Sequence, residues 1–141
     1  MRLKRNRLLE ASSILAFLGI IDSIYLTLVR YANSSPICTV NEQCQMVLTS
    51  RFSAVGHIPL SLIGIFYYSS VFVISIYLIR RYNKDVLSFL FLITFCGLIV
   101  SMFLISVQAL ILGAFCQYCL FSEAVSMILF FIILKMKRNT R

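Results

Sequence analysis

The sequence predicts an all-α membrane protein, a bundle of four transmembrane helices with a polar external loop capping one end. Hydrophobic residues make up 60% of the 141 residues and charged residues only 13%, a composition outside the range of soluble globular domains. The charges are also grouped, leaving long apolar stretches between them. A spanning helix needs about 20 apolar residues. Stretches of that length lie at approximately 10–31, 58–79, 86–109 and 114–134, and we expect them to form one domain over 1–141.

The net charge of +8 follows the same pattern. All but Arg30 and Arg51 of the 13 basic residues flank the predicted helices at positions that share one membrane face. Because excess Lys and Arg mark the cytoplasmic side, we expect both termini to be cytoplasmic and the loop at 32–57 to be external. A bacterial cytoplasmic membrane is the expected location. The clustering explains the charge without a nucleic-acid partner.

The first two elements carry the chain's unusual polar residues. Helix 1 has an apolar segment too long for a signal peptide, so we predict a retained span. Its Asp22 and Tyr25 are predicted to face the bundle, since a carboxyl exposed to lipid is costly. The loop holds Cys38 and Cys44, and the stretch 44–50 could form a short amphipathic half-helix on the membrane. His57 is interpreted as an interfacial or capping residue, because a lone histidine cannot build a metal site.

Helices 3 and 4 differ in what their cysteines can do. Cys96 lies between apolar neighbours in helix 3 and is predicted to be a packing residue. Gly113 permits a turn before Cys116-Gln117-Tyr118-Cys119, a CxxC pair at a helix start, where the helix dipole favours a thiolate. Glu123 follows Cys119 by about one helical turn. We interpret it as a proton relay or a structural hydrogen-bonding group.

Two cysteine pairs on the external side leave three interpretations. Both pairs could form structural disulfides, as is common in oxidising compartments. The four thiolates could instead bind zinc, although the five residues between Cys38 and Cys44 exceed the usual spacing of zinc-binding knuckles. Finally, the pairs could exchange disulfides in series, which requires a thiolate, an accessible sulfur and a good leaving thiolate. The spacing favours the redox interpretation.

The motifs resemble the vitamin K epoxide reductase family over nearly the whole chain. The resemblance rests on the stretch 19–27, the loop pair with Ser50, the stretch 56–60, Gly64, Gln108-Ala109 and the CxxC. The order of motifs, with the loop pair first and the CxxC on the last helix, also matches. The disulfide-bond formation protein B family has its CxxC in the first external loop instead, so the order separates the two families.

The resemblance implies a four-helix bundle around a quinone, of the ubiquinone or menaquinone (vitamin K) type, with no metal. Cys38 would form a mixed disulfide with a soluble thioredoxin-like protein on the external face, and Cys44 would attack Cys116. Cys119 would then face the quinone, while Ser50 could orient the quinone or the loop. Glu123, Asp22 and Tyr25 complete the predicted quinone contacts. The implied activity is thiol–quinone oxidoreduction that supports disulfide-bond formation.

Two departures from the family pattern modify this expectation. Animal members have an Asn on helix 2 and a Tyr on helix 4 as polar partners of the quinone, where this chain has Leu60 and Glu123. This weakens the alternative function, vitamin K quinone or epoxide reduction. Many bacterial members carry a fused thioredoxin-like domain. The 141 residues contain none, so we expect the partner to be a separate protein. From another class, a structural or zinc-binding membrane protein remains an alternative.

Overall fold

The computed structural model describes residues 2–32, 47, 50, 54–55 and 58–139. Its helices are α1 (Arg2–Tyr31), α2 (Leu60–Arg80), α3 (Lys84–Ser106) and α4 (Gln117–Asn139), with a π-helix (Val107–Leu112) continuing α3. Two short strands, β1 (Ala54–Val55) and β2 (Ile58–Pro59), pair antiparallel, with Ala54 opposite Pro59. Among these residues, four helical segments are long and apolar enough to cross a membrane. The predicted fold class is confirmed.

The observed helix boundaries differ from those predicted from the apolar stretches, and the reasons are local. α1 already begins at Arg2, so the basic residues extend the helix beyond the apolar stretch predicted from about residue 10. α2 begins directly after Pro59, whose φ of −59° suits a helix start. The side chain of Asn83 caps α3 by accepting a hydrogen bond of 2.9 Å from the backbone N–H of Asp85. α2 and α3 therefore begin at residues that are common at helix starts.

Gly113 separates the third and fourth spans. Its φ of 58° lies in the left-handed region, which favours glycine and stops the π-helix at Leu112. The chain is then irregular until α4 begins at Gln117. This interruption places the CxxC at the first turn of α4, on the side of the bundle away from the basic residues.

The up-and-down order of the helices puts the basic ends together. The Arg5 guanidinium lies 3.9 Å from the centroid of the Tyr82 ring, which links the start of α1 to the α2–α3 turn. The Lys137 ammonium lies 4.2 Å from the Phe91 ring centroid, which links the end of α4 to α3. Both are cation–π contacts. The basic residues at these four helix ends therefore lie at the same end of the bundle.

The packed core fills that same half of the bundle. Its fully buried members include Leu9, Val71, Leu87 and Ile133, one from each helix. At the middle of the bundle, Gly19 of α1 faces Tyr68 of α2 so closely that a Cβ on Gly19 would lie 2.6 Å from the tyrosine ring. Only glycine permits this approach. Beyond Tyr68, towards the CxxC, the interior opens into a cavity.

The outer surface of the bundle is apolar. Phe66 on α2 is 72% exposed and Leu110 on the π-helix is 85% exposed. Such exposure would be costly in water, but in a bilayer these side chains meet hydrocarbon while the helices satisfy their own backbone hydrogen bonds. The exposed apolar surface thus agrees with four spans that lie in a membrane.

Candidate functional site

Cys116 acts as the N-cap of α4. Its carbonyl oxygen accepts the first hydrogen bond of the helix, 2.9 Å from the backbone nitrogen of Leu120. Its Sγ accepts a second bond, 3.4 Å from the backbone nitrogen of Cys119. A sulfur here replaces the side-chain oxygen that usually caps the third N–H of a helix. The capping role fixes the Cys116 sulfur next to its CxxC partner.

The two thiols have different environments. Cys116 is fully buried and Cys119 is half-buried, and both are free thiols in this structure. A hydrogen bond from the Cys119 thiol, together with the backbone N–H groups of Cys119 and Tyr118, lowers the pKa of the Cys116 thiol; burial acts in the opposite direction but is outweighed. Cys116 is therefore the thiol that is stabilised as a thiolate at this helix start.

Gln108 joins the CxxC to Glu123. The backbone N–H of Cys116 donates to Oε1 of Gln108 at 3.1 Å, and Nε2 of Gln108 donates to Oε1 of Glu123 at 2.9 Å. Gln108 and Glu123 are both buried, at 3% and 4% exposure. The other carboxyl oxygen of Glu123, Oε2, is buried and has no hydrogen-bond partner among the described residues. Glu123 therefore retains unused hydrogen-bonding capacity.

A cavity of about 440 Å³ lies between the four helices, with Cys119 and Glu123 in its wall. Most of its lining is apolar, from residues such as Leu26, Leu92 and Leu104. The described wall contains one cationic and one acidic side chain, and its polar residues are Ser23, Arg30, Ser50, Ser61, Tyr67, Tyr68, Ser101, Gln108, Ser122, Glu123 and Ser126. A mostly apolar pocket of this size with a few polar groups is typical of small-molecule sites.

Hydrogen bonds between helices hold the polar part of the wall. The Tyr68 hydroxyl donates to the carbonyl oxygen of Ser122 at 2.6 Å. The Ser126 hydroxyl donates to the Tyr67 hydroxyl oxygen at 3.1 Å. Both bonds join α2 to α4, so they fix the helix that carries the CxxC against the opposite wall. None of these four residues is among the site residues predicted from the sequence, where their signal is polar character inside an apolar span.

Two described residues of the predicted external loop contact the site. Val47 is buried and packs against Ala114 and Cys116. Ser50 lines the cavity, and its hydroxyl donates to the Val47 carbonyl oxygen at 2.7 Å. Cys38, Cys44 and His57 lie outside the described residues, as does most of the predicted half-helix at 44–50.

The predicted quinone contacts divide into two groups. Cys119, Ser50 and Glu123 line the cavity, and so does Leu60. Asp22 and Tyr25 are not among the described lining residues. Asp22 is buried beside the cavity-lining Ser23, with Oδ2 unpartnered among the described residues. The Tyr25 ring packs on Tyr118, with centroids 5.0 Å apart. The helical repeat turns Ser23 and Leu26, rather than these two residues, towards the cavity.

Cys96 does not lie in the buried packing position that the sequence predicts. It is an exposed free thiol on α3 and also lines the cavity. Of its two neighbours in the sequence, Phe95 is 41% exposed, whereas Gly97 also lines the cavity. A residue at this place touches both the cavity and the lipid-facing surface.

The cavity fits a quinone. Its apolar wall suits a planar ring with an apolar tail, and polar side chains such as those of Ser50 and Glu123 lie in the same wall. Cys119 lies in the same wall, within the site that the ring would occupy. Within the described part of the chain, no three His, Cys, Asp or Glu side chains converge as a metal site would require.

A dithiol at a helix start, opening on an apolar cavity inside four membrane-spanning helices, defines a membrane oxidoreductase. The family model described as the vitamin K epoxide reductase family matches residues 11–134, and the chain belongs to this family. Members of this family are four-helix membrane bundles that use quinones. The chain is thus an integral membrane quinone and disulfide oxidoreductase in the general sense. A search of curated proteins found no match.

Proposed function

We propose that the protein oxidises a soluble thioredoxin-like partner and passes the electrons through its cysteines to a quinone, which supports disulfide-bond formation. The observation that carries this proposal is the shared cavity: Cys119 of the CxxC lies in the wall of an apolar pocket of about 440 Å³. The dithiol and a membrane-soluble acceptor can therefore meet without water between them.

The proposed relay begins at the loop pair. A partner thiolate attacks Cys38 in the Cys38–Cys44 disulfide and releases the Cys44 thiolate, and the partner's second thiol then resolves the mixed disulfide. Cys44 attacks Cys116, breaking the Cys116–Cys119 bond and releasing Cys119. Cys38 then attacks Cys44, which restores the loop disulfide and releases Cys116. The lowered pKa of Cys116 supports this direction, because a thiol of low pKa is the better leaving group.

The second half of the cycle restores the CxxC disulfide. Cys116 and Cys119 lose two electrons and two protons as their S–S bond forms. A bound quinone would supply the acceptor for both electrons and both protons. Ser50 and Glu123, which line the cavity with Cys119, would hold the quinone by hydrogen bonds, and Leu60 would pack against its ring. An apolar residue at Leu60 favours this role over epoxide reduction, which needs polar groups to protonate the opening ring.

We also propose how the bundle is oriented in the membrane. The basic ends of the helices would lie on the cytoplasmic side of a bacterial membrane, in agreement with the positive-inside rule. The CxxC, at the opposite end of the bundle, would then face the external side. The thioredoxin-like partner would dock there as a separate protein.

The test is quinol formation by the purified protein in detergent, driven by a reduced thioredoxin-like protein. Cys116→Ala and Cys119→Ala should abolish turnover. Cys38→Ala and Cys44→Ala should abolish it with the protein partner, while small dithiols restore part of it. Cys96→Ala is the matched cysteine control and should retain kcat, with any change confined to the KM for the quinone, because Cys96 lines the cavity but has no part in the relay. Wild-type protein that reduces neither a benzoquinone nor a naphthoquinone, or a Cys96→Ala variant as inactive as Cys116→Ala, would contradict the proposal.

A further inference from the structure

The two hydrogen bonds of Gln108 determine which way its amide points. The partner at Cys116 is a backbone N–H, which can only donate, so the amide oxygen of Gln108 must face it. The amide NH₂ group then faces Glu123. The assignment of oxygen and nitrogen in this side chain therefore follows from the identity of its neighbours.

This orientation assigns different roles to the two oxygens of Glu123. Oε1 accepts the hydrogen bond from Gln108, so it is the acceptor oxygen. A carboxyl group that is buried in a membrane bundle, with no cationic partner among the described residues, is stable as the neutral acid. When Glu123 is protonated, its proton is consequently placed on Oε2, the oxygen that has no partner among the described residues.

The hydrogen bond from Gln108 uses only Oε1, so it does not account for the burial of Oε2. Buried polar atoms in native proteins are nearly always hydrogen-bonded, and an unsatisfied one calls for an explanation. Glu123 lines the cavity beside Cys119, one helical turn away on α4. A proton held on Oε2 near the CxxC accounts for an oxygen that has no hydrogen-bond partner among the described residues.

We propose that Gln108 is a positioning residue, which holds Glu123 in the cavity wall near Cys119 with its acidic proton on Oε2, and which ties this carboxyl to the CxxC through the N–H of Cys116. The inference rests on the proposed function, since the proton is needed only if electrons leave the dithiol for an acceptor in the cavity. When the Cys116–Cys119 bond forms, two electrons and two protons leave the thiols. A bound quinone would accept both electrons and both protons. Glu123 would pass on one of these protons and take a thiol proton in exchange.

The π-helix explains how Gln108 reaches this place. It occupies the second position of Val107–Leu112 and is buried, whereas Leu110 and Ile111 in the same segment are exposed. Single π-turns within helices often occur at functional sites. Here the wider turn lets α3 present one polar side chain inwards, just before the glycine that ends the segment.

Infrared spectroscopy of the protein without quinone tests the hydrogen bond directly. The spectrum of wild type minus that of Glu123→Gln isolates the protonated carboxyl band of Glu123, because Asp22 is present in both proteins. In Gln108→Leu this band should move to higher frequency, since the carbonyl oxygen Oε1 loses its donor. Ser106→Ala, half a turn earlier and exposed, is the control and should leave the band in place. An unshifted band in Gln108→Leu, or no protonated carboxyl band in wild type, would overturn the inference.

Kinetics with a conservative variant separates positioning from folding. Gln108→Leu should lower kcat roughly tenfold to a hundredfold, part of the effect of a general acid, with little change in the KM for the dithiol partner. Gln108→Glu should recover turnover at acid pH, where the introduced carboxyl is protonated and can donate to Glu123, and lose it as the pH rises. Identical pH profiles for the two variants would refute the positioning role. Wild-type protein that reduces no quinone would refute the proposed function instead. The infrared comparison would then still show whether Gln108 donates a hydrogen bond to Glu123.

Discussion

Cys119 and Glu123 lie one helical turn apart on α4, and both side chains line the same cavity. A thiol that must lose a proton is thereby placed beside a carboxyl that can hold one. This relationship joins the electron-carrying and proton-carrying groups of the proposed reaction on a single rigid helix.

Replacing Glu123 with Gln should slow the oxidation of the dithiol without disturbing the fold. The amide of the variant still offers an oxygen to Gln108 but carries no acidic proton. We expect kcat for quinol formation to fall by about 10²- to 10⁴-fold, the usual contribution of a general acid or base. The reduced partner should still reduce the Cys116–Cys119 disulfide, so the thiols should accumulate and be detected by alkylation. Turnover equal to wild type would show that Glu123 carries no proton in the reaction.

The pKa of Cys116 should depend on Cys119. Because the pKa is lowered, the Cys116 thiolate persists at pH values where an ordinary thiol is protonated. Cys119→Ala removes the thiol that contributes most to the lowering, so the pKa should rise and the thiolate titration should move to higher pH. The measurement is thiolate ultraviolet absorbance in a background with Cys38, Cys44 and Cys96 replaced by alanine.

Cys116→Ala, with Cys38, Cys44 and Cys96 also replaced by alanine, is the control for the Cys116 titration. Its spectrum should lack the thiolate absorbance that Cys116 gives at low pH. A titration curve that stays in place when Cys119 is removed would contradict the assigned cause of the shift.

The contact between Gly19 and Tyr68 should make Gly19→Ala destabilising. The added Cβ would lie 2.6 Å from the Tyr68 ring, and overpacking of this kind costs about 1–3 kcal/mol. Thermal unfolding in detergent measures the loss. In a Tyr68→Leu background the cost of Gly19→Ala should fall, because the collision is with ring atoms, and a double-mutant cycle isolates this coupling.

Gly113→Ala is the matched control for Gly19→Ala. Its Cβ would meet nothing within 4 Å, but its φ of 58° is strained for alanine, at a cost of about 1–2 kcal/mol. That cost should be the same with Tyr68 or Leu at position 68. If Tyr68→Leu reduced the loss of stability equally in both alanine variants, the close approach of α1 and α2 would not be the cause of the loss in Gly19→Ala.

A bound quinone should protect Cys96 from a lipid-soluble maleimide, because this thiol is exposed and also lines the cavity. Labelling should slow as quinone is added, and mass spectrometry of the labelled peptide measures it. The control is Ser106→Cys in a Cys96→Ala background, since Ser106 is exposed but is not among the described lining residues. Equal labelling rates at Cys96 with and without quinone would place the quinone elsewhere.

The sequence predicted the four spans because apolar length is a local property that needs no knowledge of neighbours. It also singled out Cys119 and Glu123, since their spacing on one helix fixes their common face. It assigned Asp22 and Tyr25 to the quinone as well, but the cavity wall in that part of α1 is formed by Ser23 and Leu26. The rotation of a helix about its axis is set by packing, and an apolar span on all sides gives little periodicity to predict it.

By itself, the sequence determined the class of protein: a membrane bundle with a CxxC at the start of its last helix and basic residues at one end. The tertiary structure decided what surrounds that CxxC. Gln108 is eight residues before Cys116 and 15 before Glu123, and only the π-helix and the left-handed turn at Gly113 bring the three together. Short-range spacing specifies helices and motifs, whereas hydrogen bonds across a turn and between helices depend on how the elements pack.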